Sequence, residues 1–148
     1  MNVILLLVCF FSVIISTLCC RCAPQPFHNA FCNSEWVSRV RIAKKETTAG
    51  STKEIGKIRY TVEHVKVFRK PSNIIDLPRQ IFTNSQSSAC GLVLEAKRDY
   101  LLAGGVDERT GLHVSSCGQI NDEEHFGMVT EWKNVSATLH KQLKTVKC

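Results

Sequence analysis

Cysteine and histidine are the residues of this chain best suited to hold a metal or attack a substrate; it has eight of the first and five of the second. The histidines are His28, His64, His113, His125 and His140, and they show no metal-ligand spacing. No H-E-x-x-H is present, so a zincin-type protease is excluded. Each histidine reads as a surface or strand residue. There is no G-x-S-x-G and no P-loop. Ser85, Ser87 and Ser88 lack a visible His–Asp set and read as a solvated loop. Gly104–Gly105 reads as a turn, not a phosphate cradle. Nucleophilic cysteine chemistry needs a thiolate, and cysteines oxidised in pairs supply none. A secreted enzyme is therefore the weakest reading.

The amino-terminal segment bears on that oxidation. Residues 1–19 contain no Lys, Arg, Asp or Glu, and Val3 to Ile15 is apolar apart from Ser12 and the weakly polar Cys9. This is the pattern of a secretory signal peptide, although the usual basic n-region is missing. The competing reading is a membrane anchor. Val3 to Cys19 offers about 17 residues, marginal for a ~30 Å hydrocarbon slab, and Ser16 and Thr17 interrupt the run. Cleavage after Cys19 places the small residues Thr17 and Cys19 at the two positions the peptidase reads. The expected division is a signal peptide at 1–19 and one secreted domain at 20–148, without a membrane span after cleavage. Cys9 and Cys19 then leave with the leader. Cys20, Cys22, Cys32, Cys90, Cys117 and Cys148 remain, an even set that implies disulfides in an oxidising compartment. Pattern alone leaves all pairings of the six open. A bond between Cys20 and Cys22 is disfavoured because a disulfide needs Cα atoms ~4.4–6.8 Å apart with suitably aimed Cβ vectors. Long-range pairing is expected, each bridge of a loop near 100 residues contributing about 4–5 kcal/mol in the chain-entropy model.

The elements that must position these cysteines are short. Length (148 residues) fits one domain, and 44% apolar with 22% charged residues argues against disorder, coiled coil and collagen. Cys20 to Pro26 is a stiff extended lead, because proline fixes φ and biases its predecessor away from helix. A short helix is expected within Phe27–Trp36, with Ala30, Phe31 and Cys32 inward. Trp36, Ser38, Val40 and Ile42 alternate as in a strand, and Glu46 to Thr52 reads as a polar turn. Ile58, Tyr60 and Val62 alternate, then Val65 and Val67 fall on the other parity, which predicts a bulge near Glu63 or His64. Lys70 to Pro78 reads as loop. Ile81–Thr83 and Gly91–Leu94 are short strand candidates. Tyr100–Ala103 and Leu112–Ser116 read as a hairpin around Gly104–Gly111. Trp132, Val135, Leu139 and Leu143 recur at helical spacing, and Cys148 would staple the end of that helix. The sum is a mainly β, OB-fold-like five-stranded barrel with two flanking helices.

Formal charge is +6. Arg39, Arg41, Lys44, Lys45, Lys57, Arg59, Lys66, Arg69, Lys70, Lys141, Lys144 and Lys147 could form a face for heparan sulfate or another acidic matrix polysaccharide. A merely solvated basic surface is the plainer reading, and nucleic acid is not an expected partner of a secreted chain. Asn134-Val135-Ser136 is an N-glycosylation acceptor.

One order of residues is more specific than any of these. C-R-C-A-P at Cys20–Pro24, followed by A-F-C-N-S at Ala30–Ser34, resembles the opening of the tissue inhibitors of metalloproteinases. S-A-C-G at Ser88–Gly91, L-L-A-G at Leu101–Gly104, G-L-H-V-S-S-C at Gly111–Cys117 and the stretch from Trp132 to Cys148 have counterparts in that family too. The resemblance spans essentially the whole expected mature chain. It implies a netrin-like barrel and the pairings Cys20–Cys90, Cys22–Cys117 and Cys32–Cys148. It also implies a target-binding ridge of Cys20, Arg21, Cys22, Ala23, Pro24, Ser88, Ala89 and Cys90.

The chemistry implied is chelation. A catalytic zinc in a protease has three protein ligands and an open position. A free α-amine and the carbonyl oxygen of Cys20 can chelate that zinc of the target, so the chain needs no cofactor of its own. The expected partners are secreted or cell-surface zinc metalloproteinases of matrix type, bound by a monomer. The alternative is a non-inhibitory netrin-like module that binds matrix polysaccharide or a receptor. Two departures from the family stand out. The family commonly has a small or hydroxylated residue after its first cysteine, where this chain has Arg21. A cationic tip is costly in a closed apolar pocket but can snorkel through a deep open one, so selectivity is expected. The second disulfide-rich domain of the best-known vertebrate members has no counterpart here, and its functions are not expected.

Overall fold

Alternating apolar residues build two long strands. β1 (Trp36–Thr48) turns Trp36, Val40 and Ile42 into the barrel, and β2 (Lys57–Arg69) does the same with Ile58, Tyr60 and Val62. This computed structural model describes residues 20–50, 55–122 and 129–148; residues 1–19, read from sequence as a signal peptide, and His125 lie outside the described residues. β1 outruns its apolar pattern. Lys44 to Thr48 pair with Thr61 to Lys57, although Glu46 to Thr52 reads from sequence as a polar turn. Glu46 grips Lys44 and Arg59 at 3.0 and 2.9 Å on that polar end, which backbone pairing and charge hold without a buried face.

The bulge falls beside its expected place. Arg39 pairs with Lys66 and Val40 with His64, so Val65 is the extra residue. A second irregularity skips Phe68 and a third skips Ala43. The parity switch does not bury the valines that revealed it: Val65 and Val67 stay 40% and 38% exposed.

β3 (Gln80–Asn84), β4 (Asp99–Asp107) and β5 (Gly111–His113) complete the barrel. Strand order is β1-β2-β3-β5-β4, and β4 returns to β1 from Trp36↔Gly104 to Arg41↔Asp99. β3 and β5 run parallel. β6 (Thr130–Glu131) adds two residues to β4. The closed five-stranded barrel of the sequence reading is thus present. Its hairpin is shifted, however. Gly105–Asp107, not Tyr100–Ala103, pairs with β5, and Asp107 Oδ1 accepts the Arg109 and Thr110 amides at 2.9 Å to form the turn. Tyr100–Ala103 lies against β1 and β6 instead. Both faces there are covered. Tyr100 and Leu102 point into the barrel while Leu101 and Ala103 meet the helices, which explains the unbroken apolar run.

Gly91–Leu94 is not a strand. Leu92 and Leu94 are buried as a strand would bury them, but their backbone groups bond side-chain hydroxyls of the barrel rather than a ladder.

Two helices cap the outside. α1 (Phe27–Asn33) buries Ala30 and Phe31. α2 (Ala137–Thr145) is shorter than its periodicity. Trp132–Asn134 forms a 3-10 turn, Val135 is extended, and only then does Ser136 Oγ accept the Leu139 amide at 3.1 Å as the helix cap. Leu139 and Leu143 pack with Phe31, Val37, Leu101 and Ile120 in a second core between barrel and helices. Cys32–Cys148 ties α1 to the residues after α2.

Candidate functional site

A proline-stiffened lead and a serine-rich turn meet at one place on the barrel. The lead segment has Arg21, Ala23 and Pro24 exposed and Cys20 and Cys22 half-buried. Cys20 bonds Cys90, and Cys22 bonds Cys117, with Cα atoms 5.2 and 5.1 Å apart. These bridges set the lead beside a second arm, Ser87–Ala89, which is a single 3-10 turn with Ser88 exposed. The sulfurs crowd together: Cys20 Sγ lies 3.6 Å from Cys117 Sγ, and Cys90 Sγ 3.8 Å from it. The Ser116 amide donates to the Cys90 carbonyl at 2.8 Å, and the Ser116 hydroxyl stands 3.6 Å from Cys20 Sγ. All eight ridge residues read from sequence therefore fall on two adjoining arms.

The second arm carries strain. Cys90 has φ 58° and ψ 28°, the left-handed region that non-glycine residues rarely enter. Its neighbour explains the need for glycine in the S-A-C-G run: a Cβ on Gly91 would lie 2.0 Å from the Asn84 carbonyl oxygen. The Gly91 amide donates to Gln86 O at 3.0 Å, and Asn84 Nδ2 donates to Ala89 O at 2.8 Å. Sequence reading did not single out Asn84. An Asn at the end of a strand just before a Ser-rich loop is a turn signal, but nothing local says which carbonyl it serves. Val93 was also missed; it is 65% exposed between buried Leu92 and Leu94.

Other candidate chemistry resolves into structure. The Cys20, Cys22 and Cys117 sulfurs lie within 4.8 Å of one another, but each is in a disulfide and offers no thiolate to a metal. His64 bonds Ser38 Oγ and Pro78 O at 3.0 Å, and burial holds its pKa below the usual histidine value, so it is a neutral strand residue. A cleft of about 490 Å³ beside the lead segment contains Glu35, Lys57 and His113. Glu35 accepts the Val106 amide at 2.6 Å, and His113 bonds Thr110 at 2.7 Å, so both are engaged in holding loops.

Much of the basic set is also engaged. Arg39 and Arg41 both hold Asp99, at 2.5 and 2.8 Å, and Arg59 and Lys44 hold Glu46. Arg69 donates to the carbonyls of Ser34 and Cys32 at 2.6 and 3.3 Å, and Arg39 covers the Trp132 ring at 4.9 Å. The hydrogen bond from Arg41, with that from Arg39, keeps Asp99 below the usual carboxylate range against the opposing effect of burial. Two carboxylates, Asp99 and Glu46, thus engage four of the cations on β1 and β2, which leaves these strands with a net positive charge. Asn134 is exposed on its 3-10 turn, while Ser136 of the same sequon donates to Asp122 Oδ1 at 2.6 Å.

The C-x-C-x-P opening implied a family as well as the disulfide pairings, and comparison with known proteins shows that family. The family model for tissue inhibitor of metalloproteinase matches residues 18–147. The chain belongs to the tissue inhibitor of metalloproteinase family. Family members are inhibitors and not enzymes. It is 43% identical to "Putative metalloproteinase inhibitor tag-225" of Caenorhabditis elegans, with 99% of each chain covered. It is 30% identical to "Metalloproteinase inhibitor 2" of Oryctolagus cuniculus and 28% to that of Homo sapiens, over 84% of this chain in both cases. Those alignments span only 61% and 54% of the two mammalian proteins. No described helix is long and apolar enough to cross a membrane.

Proposed function

We propose that the exported chain inhibits zinc metalloendopeptidases by presenting the α-amine and carbonyl oxygen of Cys20 to the target's catalytic zinc. The observation that carries this reading is the double disulfide at Cys20–Cys90 and Cys22–Cys117, which stiffens a residue that signal cleavage would leave amino-terminal. The amine must be deprotonated to donate its lone pair, and an α-amine titrates near pH ~7.7–8.0, so chelation is accessible at neutral pH. Arg21, the one charged side chain of the lead segment, is exposed, which fits targets with a deep or acid-lined pocket next to the metal. Residues ordered before binding pay little conformational entropy on binding.

The reading takes residues 1–19 as a removed leader and the chain as a monomeric, extracellular protein, with Asn134 as a glycan acceptor. Matrix polysaccharide is the less favoured partner, because the ion pairs along β1 and β2 occupy several of the cations it would need. The deciding experiment adds one alanine ahead of Cys20. Inhibition of zinc endopeptidase catalytic domains should vanish while the unfolding midpoint stays unchanged. Undiminished inhibition by the extended chain would refute amine chelation.

A further inference from the structure

The second arm of the ridge hangs outside the sheet, and the barrel holds it through side-chain hydroxyls. The Leu92 amide donates to Thr83 Oγ1 at 3.1 Å. Tyr60 Oη donates to Leu92 O at 3.0 Å and accepts the Leu94 amide at 2.8 Å. The Glu95 amide donates to Tyr100 Oη at 3.1 Å. Asn84 Nδ2 reaches back to Ala89 O inside the arm itself. Tyr60 is fully buried and Thr83 is 3% exposed, so these bonds have no water to replace them. The amides of Leu92, Leu94 and Glu95, which would otherwise seek a strand partner, thus end on hydroxyls from β3, β2 and β4. This is why an apolar, strand-like segment is not a strand.

We propose that Thr83 and Tyr60, with Asn84, are positioning residues for target binding: they fix the height and tilt of the Ser88–Cys90 arm relative to the Cys20 lead. The proposal rests on the inhibitor reading for its consequence but not for its geometry. Cys90 sits in a left-handed conformation that relaxes unless its surroundings over-determine it. Its disulfide fixes one sulfur; it does not fix the direction in which Ser88 and Ala89 project. The Ser116 amide holds the Cys90 carbonyl and the turn closes on itself through Gln86 O, and the side-chain hydrogen bonds on either side of Cys90, at Ala89 and at Leu92, tie that turn to the barrel. None of the three residues needs to touch the target. Loss of one bond should move the arm and leave the amine of Cys20 in place.

The test compares Thr83→Val, which keeps shape and loses the acceptor, with Thr83→Ser, which loses a methyl and keeps it. Tyr60→Phe removes a single oxygen and guards against a folding failure at position 83. Each protein is measured for association and dissociation with a zinc endopeptidase catalytic domain, and for hydrogen exchange at the Leu92 and Leu94 amides. Thr83→Val and Tyr60→Phe should each speed dissociation about tenfold, with the association rate and the pH profile of inhibition unchanged. Thr83→Ser should stay within about twofold of the parent. Exchange should quicken at Leu92 in Thr83→Val and at Leu94 in Tyr60→Phe. Equal dissociation rates for Thr83→Val and the parent would overturn the proposal, as would a defect in Thr83→Ser larger than in Thr83→Val, which marks packing. If the parent inhibits nothing in the panel, the inhibitor reading fails separately. Unchanged exchange at both amides would then still refute the tether, and quickened exchange would uphold it.

Discussion

Replacing Cys32 and Cys148 by serine, and separately Cys22 and Cys117, should cost similar stability but have very unequal effects on inhibition. The bridges close sequence separations of 116 and 95 residues. Those lengths overstate what each adds, because the remaining disulfides already shorten the unfolded chain. With the other bridges intact, Cys32–Cys148 closes a circuit of about 40 residues, running from Cys22 to Cys32 and from Cys117 to Cys148. Cys22–Cys117 closes one of about 30, through Cys20–Cys90. The chain-entropy relation then gives ~3.9 and ~3.6 kcal/mol. A domain of this size should lose on the order of 10–20 °C in unfolding midpoint in either case.

The functional consequence differs because only one bridge orders the ridge. Freeing Cys22 releases Arg21 to Ala23. Re-ordering about three residues at ~1 kcal/mol each on binding weakens the complex by more than about 100-fold. Cys32–Cys148 joins α1 to the residues after α2 and includes no ridge residue, so its loss should change affinity less than about threefold well below the midpoint. Thermal unfolding and titration of a zinc endopeptidase with each variant provide the assay. Equal loss of affinity in the two variants would refute the claim that the ridge is ordered locally by its own disulfides.

Four further outcomes follow. Inhibition should weaken as pH falls below the α-amine range near ~7.7–8.0, about tenfold per unit once the amine is mostly protonated; a flat profile from pH 8 to 6 in the inhibitor's contribution would exclude an amine ligand. Arg21→Thr should strengthen inhibition of proteases with shallow or apolar pockets, and identical affinities across a panel would show that Arg21 stays outside the pocket. Asp99→Asn should cost about 1 kcal/mol at neutral pH through its two arginine partners. Since Asp99 is depressed in the fold, that stability is present above the ordinary carboxylate pKa and fades as pH falls through the lower folded value; a variant-to-parent gap that instead widens in acid would contradict the ion-pair account. Chain exported from eukaryotic cells should lose mass on treatment with an N-glycosidase, and Asn134→Gln should abolish that loss; a parent protein of unmodified mass would remove the glycan.

What was legible in the sequence had a local cause. The alternation through Trp36, Val40 and Ile42, the prolines of the lead, the leucines of α2 and the even set of six cysteines from Cys20 to Cys148 each follow from residue type and spacing. The barrel class was legible too and, through the order C-R-C-A-P, so were the family and the three disulfide pairings it implied. Contacts between distant segments were not legible. The polar end of β1 continues as strand because β2 is there to pair with it. Gly91–Leu94 fails to be a strand because Tyr60 and Thr83 intercept its backbone bonds from separate parts of the chain. Basic residues that read as one open face are divided among Asp99, Glu46 and helix carbonyls. Periodicity records which side of an element is wet. Which donor meets which acceptor is settled only when the barrel closes and brings β2, β3 and β4 around one exposed arm.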